Sequence, residues 1–172
     1  MKLLKALFTL TALITVLLGC NSFAFAEPLS IGKDIPYAVR VDAKGDLTLA
    51  QAEQILRNDT AKNQANLSRG YSRDTFWLRF ELPAQLVNQQ ARWLELGPNF
   101  VDDIQLFFRE KSSNAQWQSR QTGDLFNGVS DLDYRNPVFV LPALGAGAAG
   151  YEVVMRVRST STVLLAATVW TP

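Results

Sequence analysis

From Arg73 to Gly97 the chain alternates between apolar and polar positions. Phe76, Leu78, Phe80 and Leu82 share one side of a period of two, and Trp77, Arg79 and Glu81 the other. That is the pattern of a strand with one buried face. A second run sets Arg92, Leu94 and Leu96 against Trp93, Glu95 and Gly97, beyond the polar link Pro83 to Gln90. The closeness of the two runs predicts that they pair in one sheet.

The remaining pattern extends this theme. Glu27 to Gly45 reads as an irregular lead-in with an edge strand over Tyr37 to Val41. Thr48 is placed to cap a helix that begins at Leu49, and Leu49, Ala52, Ile55 and Leu56 form its apolar stripe, so a short lid over one end of a sheet is expected. Arg57 to Tyr71, rich in Asn, Gln and Ser, predicts a loop or an extended crossing with little core of its own. Downstream, Val101 to Arg109 predicts a strand covered on both faces, because Phe107 interrupts the polar side opposite Ile104, Leu106 and Phe108. Gln116 to Gln121 reads as a return strand, Thr122 to Asn136 as a long loop and Pro137 to Pro142 as a short strand. Ala143 to Gly150, ALGAGAAG, lacks the GK[ST] ending of a phosphate loop and reads as a flexible turn. Tyr151 to Arg158 and Val163 to Trp170 are the clearest strands. About seven short strands with polar turns and one small helix predict an all-β sandwich, with a barrel as the rival closure.

Composition narrows the chemistry. The 172 residues suit one domain. There is no histidine, which removes imidazole bases, catalytic triads and histidine-built zinc sites. Cys20 is the sole cysteine, so the body has neither a disulfide framework nor a thiol nucleophile. Residues 1–26 read as a signal peptide: Lys2 and Lys5 flank the apolar run Ala6 to Gly19, and Ala24-Phe25-Ala26 offers a cleavage site. In an alternative processing, Leu17-Leu18-Gly19-Cys20 acts as a lipoprotein box and Cys20 is acylated. Residues 27–172 are then an exported domain. Removing the two lysines takes 17 basic residues to 15 against 16 acidic ones, a formal charge of −1, which gives no electrostatic case for nucleic acid.

The segments TFWLRFEL, ARWLELGPNFVDDIQLFF, TGD, YRNPVFVLP and YEVVMRVRSTSTVLLAATVW resemble the second extracellular domain of bacterial seven-transmembrane receptors with diverse intracellular signalling modules. The likeness runs from about Ile35 to Trp170, with Trp77, Arg79, the Leu94 to Leu106 block, Gly123 and Arg135 in the family's order. It implies a jelly-roll-like, carbohydrate-binding-like fold. It also implies a periplasmic position as the extracytoplasmic part of an inner-membrane protein, and a membrane signalling module on the same polypeptide. The sequence stops at Pro172, where the family enters its first membrane helix. Either a fragment of a receptor or a stand-alone exported version is expected.

Candidate ligand-binding residues follow from the strand faces. Trp77 and Arg79 lie opposite the apolar ladder, and Arg156 and Arg158 occupy the matching face of the penultimate strand. If the two strands share a sheet, an aromatic plate and guanidinium forks share a surface, which is sugar or carboxylate chemistry. The competing reading packs Trp77 under the Leu49 helix or a loop and leaves the arginines on a solvated face. Tyr134 and Arg135 are expected rim contacts in the long loop, unless Arg135 instead fastens Asp131 or Asp133. Of Trp93, Trp117 and Trp170, one or two are expected in the core. Asp124, Asp131 and Asp133 are weak calcium candidates without a calcium-loop spacing, so no metal and no cofactor is expected. Asp102 and Asp103, adjacent on a strand, point to opposite faces and cannot flank one bond, and Glu81 with Glu95 lacks an evident cleft, so no enzyme is expected. The functional expectation is a ligand-sensing extracytoplasmic domain, possible as a homodimer, for a small polar ligand such as a carbohydrate. The alternative is a lipoprotein adaptor anchored through Cys20 that binds a protein partner.

Overall fold

The computed structural model describes residues 27–64, 66–87, 91–112, 115–126 and 130–171. The signal-peptide and Cys20 readings lie outside the described residues. Ten strands form two five-stranded antiparallel sheets with their inner faces together. In chain order they are β1 (Leu29–Ser30), β2 (Tyr37–Asp42), β3 (Leu67–Tyr71), β4 (Thr75–Pro83), β5 (Arg92–Gly97), β6 (Asp103–Glu110), β7 (Gln118–Thr122), β8 (Val138–Leu141), β9 (Gly150–Arg158) and β10 (Thr162–Trp170). Helix α1 (Leu49–Asn58) precedes β3, a one-turn helix α2 (Ala84–Val87) follows β4, and a 3-10 turn covers Asp124–Phe126. One sheet runs β2-β4-β9-β6-β7; the other runs β1-β10-β5-β8, with β3 also paired to β10. The all-β sandwich with one short N-terminal helix is therefore the observed class.

The core is what the alternation requires. Phe76, Leu78, Phe80 and Leu82 of β4, Ile104, Leu106 and Phe108 of β6, and Tyr151, Val153, Met155 and Val157 of β9 face Leu94 and Leu96 of β5, Phe139 and Leu141 of β8, and Val163, Leu165 and Val169 of β10 in one buried cluster. At roughly 1.5–3 kcal/mol per buried large side chain, this cluster is the main force holding the sheets together.

Three expectations change. The runs at β4 and β5 do not pair: β4 lies between β2 and β9, and β5 between β10 and β8. After β4, helix α2 with its buried Val87 redirects the chain, so the two apolar ladders meet across the core instead of edge to edge. Second, the polar stretch read as a loop or extended crossing contains the paired strand β3. Only Leu67 of that strand is buried, and its backbone ladder to Thr162–Leu165 holds it without any alternation in sequence. Third, α1 lies on a sheet face, not over an end. Thr48 caps it as expected, in a reciprocal capping box with Gln51, and Ala52 and Leu56 pack on Ala38, Trp77 and Val154 on the outer face of the first sheet. Phe107 joins that second cluster, which explains why β6 is apolar on both sides.

Candidate functional site

The outer face under α1 is built around ions that neutralise one another. Trp77 is only 1% exposed; its Nε1 donates to Asp42 Oδ2 at 3.2 Å and its ring stacks with that of Phe107 at 6.2 Å between centroids. Burial pushes the Asp42 carboxyl up, but the Leu47, Gly45 and Asp46 amides and the Trp77 indole outweigh it and hold the group below the usual carboxylate range. One strand over, Glu152 is 4% exposed and accepts from Arg79 Nε (2.8 Å), Arg57 Nη2 (2.9 Å) and Arg109 Nη2 (2.8 Å). Burial raises its pKa, yet Arg109 and Arg79 together bring it below its ordinary value. Arg57 and Arg109 also hold Glu53 of α1, so the network straps the helix to the sheet. Arg79 and Lys111 both pair with Glu81.

Strands β4 and β9 are direct neighbours, with Trp77 opposite Arg156 and Thr75 opposite Arg158. The expected shared surface exists, but its groups are engaged: Trp77 is covered by α1, Arg79 is bound to two carboxylates and Arg156 to Asp103 Oδ2 at 3.1 Å. Arg158 is exposed at the strand end. Of the sequence candidates, Tyr134 and Arg135 stand elsewhere, in the loop before β8.

There the loop before β8 joins two adjacent depressions through Tyr134, which is 66% exposed. The first is an apolar shelf of about 100 Å³ lined by Trp93, Trp170, Tyr134, Leu132 and Val138. Trp93 and Trp170 are cross-strand partners on β5 and β10. The second is a polar well of about 270 Å³ whose wall includes Asn99, Thr122, Gly123, Asp124, Ser130, Tyr134 and Arg135. Glu95 ties the region to the last strand: its carboxylate accepts from Asn136 Nδ2 at 2.6 Å and from Trp170 Nε1 at 2.8 Å. Ser130 pins the loop, its Oγ accepting from Val138 N at 2.8 Å. Gly123 sets the floor with φ of 133°, where a Cβ would lie 2.2 Å from the Asp102 carbonyl oxygen. Asp131 is held by the Val140 amide at 2.8 Å and by Arg120 at 3.7 Å, while Arg135 makes no ion pair among the described residues.

Sequence reasoning placed Trp93 and Trp170 as core candidates. Both instead stand on the outward positions of their strands, half-buried and 40% exposed respectively, and their place opposite the apolar ladder was the available signal. Trp117 is also only half-buried, with the Arg109 guanidinium 4.2 Å from its ring centre. Thr122 and Asn99 lie in the TGD and ARWLELGPNFVDDIQLFF segments that carry the resemblance, but nothing in those segments assigns them to the well, which they reach through tertiary contacts.

Among the described residues the two candidate acid pairs are either separated or engaged by other groups. Glu81 and Glu95 are in opposite sheets. Asp102 binds Thr160, while Asp103 binds Gln121 and Arg156. Among the described residues no three His, Cys, Asp or Glu side chains converge as a metal site, and Asp124, Asp131 and Asp133 form none.

The two-sheet sandwich thus carries an open recess with one apolar, aromatic part and one polar part. The chain belongs to the 7TMR-DISM extracellular 2 family, whose model matches residues 36–171. It is thus a non-catalytic, ligand-sensing extracytoplasmic domain of the receptor type in which that family occurs. No curated protein matches it. Among solved structures it is similar to TmCBM61 in complex with β-1,4-galactotriose, at 13% identity over 81% of this chain and 87% of that one with a TM-score of 0.37. It is also similar to carbohydrate-binding modules of a β-sandwich superfamily with promiscuous specificity, at 11% identity over 83% of this chain and 54% of that one with a TM-score of 0.32. Overlaps this low do not carry a ligand across. Among the described residues no helix is long and apolar enough to cross a membrane.

Proposed function

We propose that the recess around Tyr134 and Arg135 binds a small polar, carbohydrate-like ligand and that its occupancy passes to a membrane signalling module on the same polypeptide. The observation that carries this reading is that the last strand, β10, forms a wall of the recess: Trp170 lines the shelf and shares Glu95 with Asn136 of the loop before β8. Aromatic rings offer apolar faces on which a pyranose stacks, and the free Arg135 guanidinium offers paired donors to its oxygens. A ligand that touches both the loop and Trp170 binds differently to each arrangement of β10, which is the requirement for a signal.

A thermal-shift screen of sugars, peptidoglycan pieces and amino acids, followed by calorimetric titration, tests the reading. Tyr134→Ala and Arg135→Ala should each weaken the selected ligand about 10-fold or more while leaving the unfolding midpoint unchanged, since both side chains are exposed. Undiminished binding in both variants removes the site. The adaptor reading draws on a separate feature, the exposed Phe100, Leu125 and Phe126 on neighbouring turns. It is favoured if no small molecule shifts the midpoint and a protein partner is lost on changing these three.

A further inference from the structure

The apolar shelf holds one charge. Trp93 and Glu95 stand on either side of the buried Leu94 in β5, so both project from the outer face of the second sheet. Trp170 lies opposite Trp93 on β10, and Val138 lies opposite Glu95 on β8. With Tyr134 these residues border the shelf, and Glu95 is the one charged residue among the described residues of its wall. The Glu95 carboxylate accepts from two neutral donors, Asn136 Nδ2 and Trp170 Nε1. Among the described residues no lysine or arginine pairs with it, whereas Glu53, Glu81 and Glu152 are each held by at least one.

An unneutralised carboxylate bordered by aromatic rings is suited to a cation. Each oxygen of Glu95 accepts one hydrogen bond from the chain and has a lone pair for a second. The faces of tryptophan and tyrosine rings attract an ammonium group that approaches within about 6 Å of their centres. Three aromatic residues and one carboxylate around about 100 Å³ therefore favour an ammonium over a neutral group and repel a second carboxylate. The site is open to solvent, since Trp170 is 40% and Tyr134 66% exposed. Arg135 and Asn99 belong to the adjoining well, where hydroxyls of the same molecule find donors and acceptors.

Resting on the recognition site proposed above, we propose that Glu95 is the specificity-determining residue of the shelf and that the ligand is an amino sugar, a pyranose whose ammonium group lies against Glu95 and the rings while its hydroxyls reach the polar well. The purified chain is titrated with glucosamine, with glucose and N-acetylglucosamine as its neutral counterparts and with glucuronate as the acidic one, at about pH 6, where an amine is charged. Glucosamine should raise the melting temperature and bind about 10-fold more tightly than either neutral sugar, with glucuronate weakest. Glu95→Gln keeps the shape and one acceptor but removes the charge. It should weaken glucosamine about 5-fold and leave glucose within about 2-fold. Because the two sugars are compared within one variant, a change in its stability does not alter the ratio. Raising the pH to about 9 neutralises the amine and should bring wild-type affinity for glucosamine down to that for glucose.

Equal binding of glucosamine and glucose by the wild type at about pH 6 overturns the proposal. So does a preference for glucuronate, failure of all four sugars to bind, or a glucosamine preference that survives Glu95→Gln or deprotonation undiminished. Binding of a sugar that depends on Tyr134 and Arg135 without preference for the amine defeats this inference and leaves the recognition site standing. Binding indifferent to Tyr134 and Arg135 defeats the site itself.

Discussion

Replacing Glu152 by glutamine tests how α1 is held to the sheet. The carboxylate is 5% exposed at its side chain and receives hydrogen bonds from three arginines, whose side chains are 14% (Arg79), 22% (Arg109) and 49% (Arg57) exposed. Breaking a fully buried ion network by removing one partner costs about 3–5 kcal/mol. The half-exposed Arg57 contributes little of that, since pairs in water are worth about 0–1 kcal/mol. Arg79 and Arg109 keep Glu81 and Glu53 as second partners, and glutamine keeps one acceptor. A loss of about 2 kcal/mol is therefore expected, against about 0.5 kcal/mol or less for an ordinary surface change. Urea unfolding reads it as a lower midpoint at unchanged slope, a shift of about 1 M for a slope near 2 kcal/mol/M.

The same variant has a pH signature. In the folded state Glu152 titrates below its ordinary 4.5, so its contribution is full above that value and is lost as pH falls through the lower folded pKa. Asp42, Glu81 and Asp102 are shifted in the same direction. Acid should thus destabilise the wild type below about pH 4.5, and Glu152→Gln should flatten that decline without abolishing it. A variant as stable as wild type at pH 7, or one with an unchanged acid profile, would refute the idea that Glu152 anchors the helix.

Two further outcomes follow from other parts of the structure. Trp77→Ala should cost about 3–5 kcal/mol, because it empties a site sealed by α1 and leaves Asp42 without its indole donor; a folded variant within 1 kcal/mol of wild type by urea unfolding would show that the helix does not cover it in solution. Glu95→Ala should separate binding from transmission: the Trp170 indole N–H resonance, followed by NMR, should cease to respond to ligand although the Tyr134 side of the recess still binds within about 10-fold of wild type, since Glu95 links Asn136 to Trp170. An unaltered Trp170 response would place the coupling elsewhere.

Alternation along β4, β6, β9 and β10 was enough to define the class of fold, because a strand with one buried face must repeat every second residue and no helix satisfies that period. The Thr48 cap and the Leu49 stripe likewise carried α1, a local matter of backbone donors and one apolar side. The family likeness was legible for the same reason, being written in those strands. Tyr134 and Arg135 could be singled out because a long loop on a rigid sheet exposes its side chains.

Partners across space were another matter. Alternation assigns a face but names no neighbour, so β4 and β5 read as a pair although α2 sends them to opposite sheets, and β3 read no further than a loop or extended crossing because main-chain hydrogen bonds do not depend on side-chain pattern. Trp77 carried the same letters whether open to a sugar or sealed beneath a helix. Docking of α1 decided that, and with it where the free surface lies. The recess itself joins β5, β7, the loop before β8 and the end of β10; residues so far apart in the chain meet only when the two sheets close, since that closure alone fixes which of the outward-facing groups remain without partners.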